Sequence, residues 1–142
     1  MKIRDATPSD VPAIHGIDAM EAKEESRQQH IRQWVSEGNA VVATIDDVVV
    51  GYSVLDYTFF GQGFISILMV EKVSRRKGIA TALVTHLEER CETGKLFTST
   101  NESNKPMQAL LKRLSYEPSG IVYNLDDDDP ELFYVKRFIE IR

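Results

Sequence analysis

Scarcities narrow the reading first. Cys91 is the only cysteine, so no internal disulfide is available and no cysteine-based zinc site can form. The three histidines, His15, His30 and His86, stand apart without ligand spacing, and no metal is expected. The longest clean apolar run, residues 64–70, is interrupted only by Ser66. It falls far short of the roughly 20 residues that span a bilayer. The opening Met1-Lys2-Ile3-Arg4-Asp5 has no apolar signal segment, so the expected setting is cytoplasmic, with no membrane partner. Basic charge is not in excess either. Seventeen Lys and Arg against 22 Asp and Glu leave a net charge of −5, which argues against a nucleic-acid partner.

What is present fits an ordinary globular chain: 142 residues, 42% hydrophobic and 27% charged. One domain over residues 1–142 is expected, large enough to bury roughly two thirds of its unfolded surface without staples. Residues 2–5 form a short first strand. Thr7-Pro8-Ser9-Asp10 then reads as a helix start, with a capping Thr, a Pro at the first position and an acid three residues on. Val11, Ile14 and Ile17 supply its apolar face. A second helix covers about residues 23–37, with Ile31, Trp34 and Val35 at helical spacing, and Gly38-Asn39 ends it. The pattern then alternates. Residues 40–45, 48–59 and 64–70 read as antiparallel strands joined at Asp46-Asp47 and Gly61-Gln62-Gly63.

After Ser74 the period becomes 3.6. Ile79, Leu83 and Leu87 form a stripe widened by Ala80, Val84 and Cys91, and Thr93-Gly94 stops the helix. A strand follows at residues 95–100. A helix follows at 104–114, with Met107, Leu110, Leu111 and Leu114 on one face. Strands at 116–125 and 132–141 close the chain around the acidic run Asp126-Asp127-Asp128-Asp129-Pro130-Glu131. The order β-α-α-β-β-β-α-β-α-β-β predicts a mixed α/β sheet.

Chemistry concentrates at Leu68-Met69-Val70-Glu71-Lys72-Val73-Ser74-Arg75-Arg76-Lys77-Gly78-Ile79-Ala80, where a buried strand runs through a basic loop into a helix. The first turn of a helix has N–H groups without internal partners and a partial positive charge. Together these make an anion site. Gly78 and Ala80 are small enough for close approach to the backbone. Arg75, Arg76 and Lys77 are either a plain solvated loop or, having the wrong sign for a helix N-terminus, part of a site where a bound pyrophosphate removes the conflict.

The hexapeptide Arg75-Arg76-Lys77-Gly78-Ile79-Ala80 resembles the acetyl-CoA-binding Q/R-x-x-G-x-G/A motif of the GNAT N-acetyltransferase superfamily. The segment from Asn104 to Tyr116, an Asn opening a helix, resembles a second family segment. Element order and length match a minimal GNAT domain with a central, mostly antiparallel sheet. Residues 96–104, with the stretches around Asn124 and Asp129, resemble a bacterial subgroup of unassigned substrate.

The resemblance implies acetyl-CoA as co-substrate. Backbone groups of Leu68, Met69 and Val70 would pair with the pantetheine arm. An N–H of Met69 or Val70 would polarise the thioester carbonyl. Amides from Arg76 through Lys77, Gly78, Ile79 and Ala80 to Thr81 would hold the pyrophosphate, beside the Arg75 side chain. Asn104 would bond the pantetheine or its phosphate, or simply cap its helix.

Acetyl transfer to an amine requires a neutral nucleophile. A lysine-like amine costs about 4.6 kcal/mol to neutralise at pH 7, whereas a departing thiolate costs only about 2 kcal/mol to leave unprotonated. Loss of a general acid is therefore tolerable, and loss of a base is the harder problem. Many family members place a Tyr where this chain has Leu111, which the apolar stripe marks as core. Some place a Glu where this chain has Ser99. Candidate carboxylates are Asp56, in an aromatic strand, and Asp129 or Glu131. Tyr123 and Tyr134 are further hydroxyl candidates. Asp129 and Glu131 could collar a cationic acceptor, or the acidic run could be a solvated turn. Calcium is not favoured, because EF-hand spacing and its Gly are absent.

Cys91 lies on the apolar side of the expected helix, where an inert thiol is the better reading than a nucleophile. The expected activity is direct acetyl transfer to a primary amine of a small molecule or peptide. Two alternatives stay open: an acetyl-CoA-binding sensor that has lost catalysis, and a plain interaction domain. Phe59-Phe60 could be core or the patch of a homodimer.

Overall fold

The structure is a computed structural model, and it describes residues 1–19 and 26–138. It is a mixed α/β fold with a seven-stranded, mostly antiparallel sheet in the order β1-β2-β3-β4-β5-β7-β6. The strands are β1 Lys2–Asp5, β2 Ala40–Ile45, β3 Val48–Phe59, β4 Gln62–Val70, β5 Lys95–Asn101, β6 Glu117–Val122 and β7 Glu131–Arg137. The helices are α1 Val11–Ala19, α2 Ser26–Ser36, α3 Ile79–Arg90 and α4 Lys105–Arg113. By internal contacts the chain forms two compact units: Met1–Leu55 with Ile67–Glu89, and Asp56–Ser66 with Arg90–Arg142.

In the first unit the expected capping acid does more than cap. Asp10 accepts from the Thr7 N–H at 2.8 Å and from the Arg4 guanidinium at 2.8 and 3.0 Å. The Arg4 cation holds the Asp10 carboxyl below the usual carboxylate range. Behind it, Val11 and Ile14 of α1 and Ile31 and Val35 of α2 pack on Ala40, Val42, Tyr52 and Val54. Ala40 through Thr44 are all buried, so β2 is covered on both faces. On the other face, α3 buries Ile79, Leu83, Val84 and Leu87. Gly51 permits this approach: a Cβ there would meet the Met69 carbonyl at 3.0 Å and the Ile79 and Leu83 side chains at 3.4 Å.

In the second unit Phe59 is the hub of an aromatic cluster, its ring 5.0 to 5.5 Å from those of Phe64, Phe97 and Phe133. Phe60 is 88% exposed, so the expected aromatic pair splits between packing and surface. The ladder of β5 on β7 runs the full length of both strands, and β6 pairs outside β7.

Element boundaries differ from the expected ones in readable ways. The α3 helix ends at Arg90, not at Thr93-Gly94. The Glu92 N–H is taken by the Tyr57 hydroxyl at 3.0 Å, and Thr93 Oγ1 bonds the Lys95 carbonyl at 2.8 Å. These tertiary bonds replace another helical turn. Cys91 therefore lies beyond the helix, half-buried, with Sγ 3.4 Å from Thr93 Oγ1. The β6 strand stops at Val122 because Asn124 takes a positive φ of 74°. The expected helix residues 23–25 and strand residues 139–141 lie outside the described residues.

Candidate active site

The β4–α3 segment holds the residues expected to bind a cofactor. Glu71 N–H donates to the Val50 carbonyl at 2.7 Å, and the Ile67 carbonyl accepts from the Ser53 hydroxyl at 2.7 Å. Successive residues of a strand turn their backbone groups to opposite edges. Ile67, Met69 and Glu71 therefore address β3, whereas Leu68 and Val70 address the opposite edge. The ladder between β4 and β5 covers Gly63–Ile65 against Leu96–Thr98. Leu68, Met69 and Val70 are only half-buried although β4 is the fourth of seven strands. Of the two amides expected to polarise a carbonyl, the Val70 N–H is thus the one that turns away from β3. Met69 turns its backbone to β3 and its side chain to the core cluster of the first unit.

After β4 a single 3-10 turn, Lys72–Ser74, folds the chain back. Ser74 is buried and donates to Glu71 Oε2 at 2.8 Å. Arg75 Nε bonds the Val70 carbonyl at 3.0 Å, tying the loop to the strand end. Arg76 and Gly78 both adopt positive φ, 66° and 78°. Nothing lies within 4 Å of a Cβ built on Gly78. Glycine is needed there for its backbone conformation, and the space beside it is open. Ala82 N–H reaches the Gly78 carbonyl at 3.0 Å, so the amides of Ile79, Ala80 and Thr81 precede the first helical bond. No acid occupies this first turn. The Ile79 side chain is buried and anchors the turn, whereas Arg75, Arg76, Lys77 and Gly78 are exposed. Exposed cations, free amides and open space in one loop suit a polyanion such as a pyrophosphate.

The remaining candidates lie in the second unit. Asn104 caps α4, its Oδ1 accepting from the Met107 N–H at 3.2 Å. Asp129 accepts from the Ser103 N–H at 3.0 Å and from the Ser103 hydroxyl at 2.6 Å. Asn101 donates to Asp126 at 2.9 Å. The acidic loop is thus an exposed turn at Asp126, Asp127 and Asp128 that is pinned to the β5–α4 turn. Glu131 lies opposite Asn101 on β7, half-buried. Ser99 lies opposite Phe133, also half-buried. Both carboxylate oxygens of Asp56 are committed, one to the Thr58 N–H and hydroxyl at 3.1 and 2.8 Å, the other to the Ser66 hydroxyl. Leu111 is fully buried, as its apolar stripe implied, Tyr134 is buried and Tyr123 is exposed.

One polar cluster escaped sequence reasoning. Asp18, 1% exposed, accepts from the Tyr52 hydroxyl at 2.7 Å and from Arg27 at 3.2 Å. Burial and the neighbouring carboxylate push the Tyr52 hydroxyl far above its ordinary pKa. Asp18 sits on an ordinary-looking helix, and no motif links it to a strand 34 residues away.

Comparison with known proteins matches this picture. Residues 8–116 match the sequence model of the acetyltransferase (GNAT) family. A GNAT-family acetyltransferase from Bacillus cereus is 32% identical, with 98% of each chain covered and a TM-score of 0.92. Ard1 from Thermoplasma volcanium is 19% identical, with 98% of each chain covered and a TM-score of 0.87. An aminoglycoside 6'-N-acetyltransferase, solved with coenzyme A, is 16% identical, with 100% and 99% coverage and a TM-score of 0.85. No functionally curated protein matches the chain in sequence. The architecture is that of the acetyltransferase folds. The chain belongs to the GNAT acetyltransferase family. No helix among the described residues is long and apolar enough to cross a membrane.

Proposed function

We propose that this protein is an acetyl-CoA-dependent N-acetyltransferase that passes acetyl directly to a primary amine of a small molecule or peptide. The observation that carries the reading is the loop between β4 and α3. Its positive-φ residues Arg76 and Gly78, its exposed cations and the free amides of Ile79, Ala80 and Thr81 follow directly on a strand end whose alternate backbone groups turn away from β3. The structural likeness to an acetyltransferase solved with coenzyme A supports the same reading. Acetyl-CoA supplies an activated acyl group. The amides of the first α3 turn bind its pyrophosphate, with Arg75, Arg76 and Lys77 adding charge. Leu68 and Val70 offer strand-like hydrogen bonds to the pantetheine. The Val70 N–H, held in a strand, is a preorganised donor for negative charge developing on the acyl oxygen. Asn104 keeps its Nδ2 donors for the pantetheine while Oδ1 caps α4.

Acceptor deprotonation falls to what the chain leaves uncommitted. Asp56 and Asp129 spend both oxygens on internal bonds. Of the three candidate carboxylates, Glu131 is the one left for a cationic acceptor, and Ser99 supplies a hydroxyl on the paired strand. The test is thiol release from acetyl-CoA across an amine panel at two pH values, with wild type and Glu131→Gln. Turnover of at least one amine, with Glu131→Gln raising its KM more than the KM for acetyl-CoA, is expected. Tight acetyl-CoA binding without turnover of any amine would replace this reading with the sensor. No acetyl-CoA binding would reject both.

A further inference from the structure

The buried cluster of Asp18, Tyr52 and Arg27 has the make-up of a cation site. Asp18 lies near the end of α1, and the Tyr52 hydroxyl from β3 fixes its Oδ1 at 2.7 Å. Arg27, in the first turn of α2, adds one bond to the same oxygen at 3.2 Å. That is long for a charged pair, which usually closes to about 2.7–2.9 Å. Among the described residues, Asp18 Oδ2 is buried and has no hydrogen-bond partner. An unbonded oxygen on a buried carboxylate is costly. The Arg27 guanidinium also lies over the Trp34 ring, 5.9 Å from its centroid. That distance is within the roughly 6 Å reach of a cation–π contact. A buried carboxylate and an indole face are groups that hold ammonium and guanidinium ions.

Its present occupant is a replaceable one. The Arg27 side chain is 23% exposed against 1% for Asp18, so the cluster meets solvent along Arg27. The dipole of α2 opposes a cation in its first turn. An external cation that displaces Arg27 conserves charge, because one positive group leaves Asp18 as another arrives. It also supplies what Arg27 leaves unmade, a donor to Oδ2. A neutral ligand would leave Asp18 buried and unpaired once Arg27 had moved, so the site selects for charge. Its position bears on the chemistry. Tyr52 belongs to the core cluster against which both Trp34 and Met69 pack. Met69 directly precedes Val70, the proposed donor to the acyl oxygen. All of these residues lie in the first compact unit.

We infer that Asp18, with the Trp34 ring, binds a second cationic group of the acceptor, and that Arg27 holds this place until the acceptor arrives. The inference rests on the proposed acetylation of a primary amine and narrows its substrate class. The preferred acceptor is a primary amine with a second ammonium or guanidinium at the far end of an alkyl chain. Asp18 sets specificity and takes no proton from the attacking nitrogen.

Thiol release from acetyl-CoA tests this with diaminobutane, diaminohexane and aminobutylguanidine, against butylamine and hexylamine as matched monoamines. Wild type should favour the dications by about tenfold or more in kcat/KM. Asp18→Asn keeps an oxygen for the Tyr52 hydroxyl. It should raise the dication KM about tenfold, leave the KM for acetyl-CoA within about twofold, and erase the preference. Arg27→Gln should lower the dication KM severalfold by vacating the place, whereas loss of a merely structural ion pair would not lower it. This variant keeps the proposal testable even where Asp18→Asn does not fold. Thermal unfolding with CoA present reads binding without turnover. Aminobutylguanidine should raise Tm saturably in wild type and Arg27→Gln but not in Asp18→Asn. Dications no better than monoamines, a preference that survives Asp18→Asn, or a raised dication KM in Arg27→Gln would each overturn the inference. Turnover of no amine at all would instead reject the proposed acetylation. The thermal titration then decides alone: a Tm rise lost in Asp18→Asn upholds the cation site, and a flat Tm in wild type overturns it.

Discussion

Gly78→Ala separates backbone strain from coenzyme binding. Gly78 has φ +78° and open space around its missing Cβ. An alanine there meets no clash, but it must either hold a left-handed conformation, at about 1–2 kcal/mol, or flip the peptide. A flip would turn the amides at the start of α3 away from their present directions. Gly61 is a matched control. Its φ is +74° and its Cβ position is equally open, but it belongs to the β3–β4 turn and not to the anion loop. Both alanine variants should therefore lose about 1–2 kcal/mol of stability, read as a fall in Tm of about 2–8 °C for a chain of this size. Only Gly78→Ala should weaken acetyl-CoA, by about 5- to 30-fold in calorimetric Kd, since each 1.4 kcal/mol is tenfold. Gly78→Asn should recover part of both losses, because Asn tolerates the left-handed region. Equal acetyl-CoA affinity in the two alanine variants would refute the assignment of this loop to the pyrophosphate.

Three further outcomes follow from the packing. Tyr52→Phe removes one of the two donors that the buried Asp18 carboxylate has among the described residues, and should cost about 1–3 kcal/mol in urea unfolding with an unchanged m-value. A loss under about 0.5 kcal/mol would show that the bond contributes little. Asp10 has a pKa lowered from 3.8, chiefly by its hydrogen bonds from Arg4. On acidification the unfolded chain takes up its proton first. The Asp10 contribution is therefore complete above that ordinary value and is lost as pH falls through the lowered one. Arg4→Gln should flatten this part of the acid unfolding profile, and an unchanged profile would contradict it. Gly51→Ala should destabilise by about 1–3 kcal/mol, because its Cβ would press on the Met69 carbonyl at 3.0 Å, backbone that cannot swing aside. A neutral result would mean that β4 and α3 shift freely.

The strands and helices were largely legible because their signals are local. The run 48–59 reads as a strand of that length, and the structure gives Val48–Phe59. Boundaries failed where a distant group intervened. Tyr57 takes the Glu92 amide, and no sequence window contains both partners. The same holds for the site. The strand-loop-helix pattern by itself pointed to Gly78 and the first turn of α3 as candidates, whereas Leu68, Met69 and Val70 followed only from the family resemblance. Which of Met69 and Val70 turns its amide outward required the Val50–Glu71 and Ser53–Ile67 bonds that set the parity of β4. Asp56 and Asp129 read equally well as free carboxylates until their partners were seen, because a carboxylate's availability depends on its neighbours.

By itself, then, the sequence determined the periodicities, the turn residues and the family motif, since these act through backbone sterics and burial along a few consecutive residues. Only the tertiary structure decided the strand order, with β7 lying between β5 and β6. It also decided the burial of Asp18 against Tyr52 and the exposure of the edge strand β6. Those features arise from contacts between residues far apart in the chain, and local preference carries no term for them.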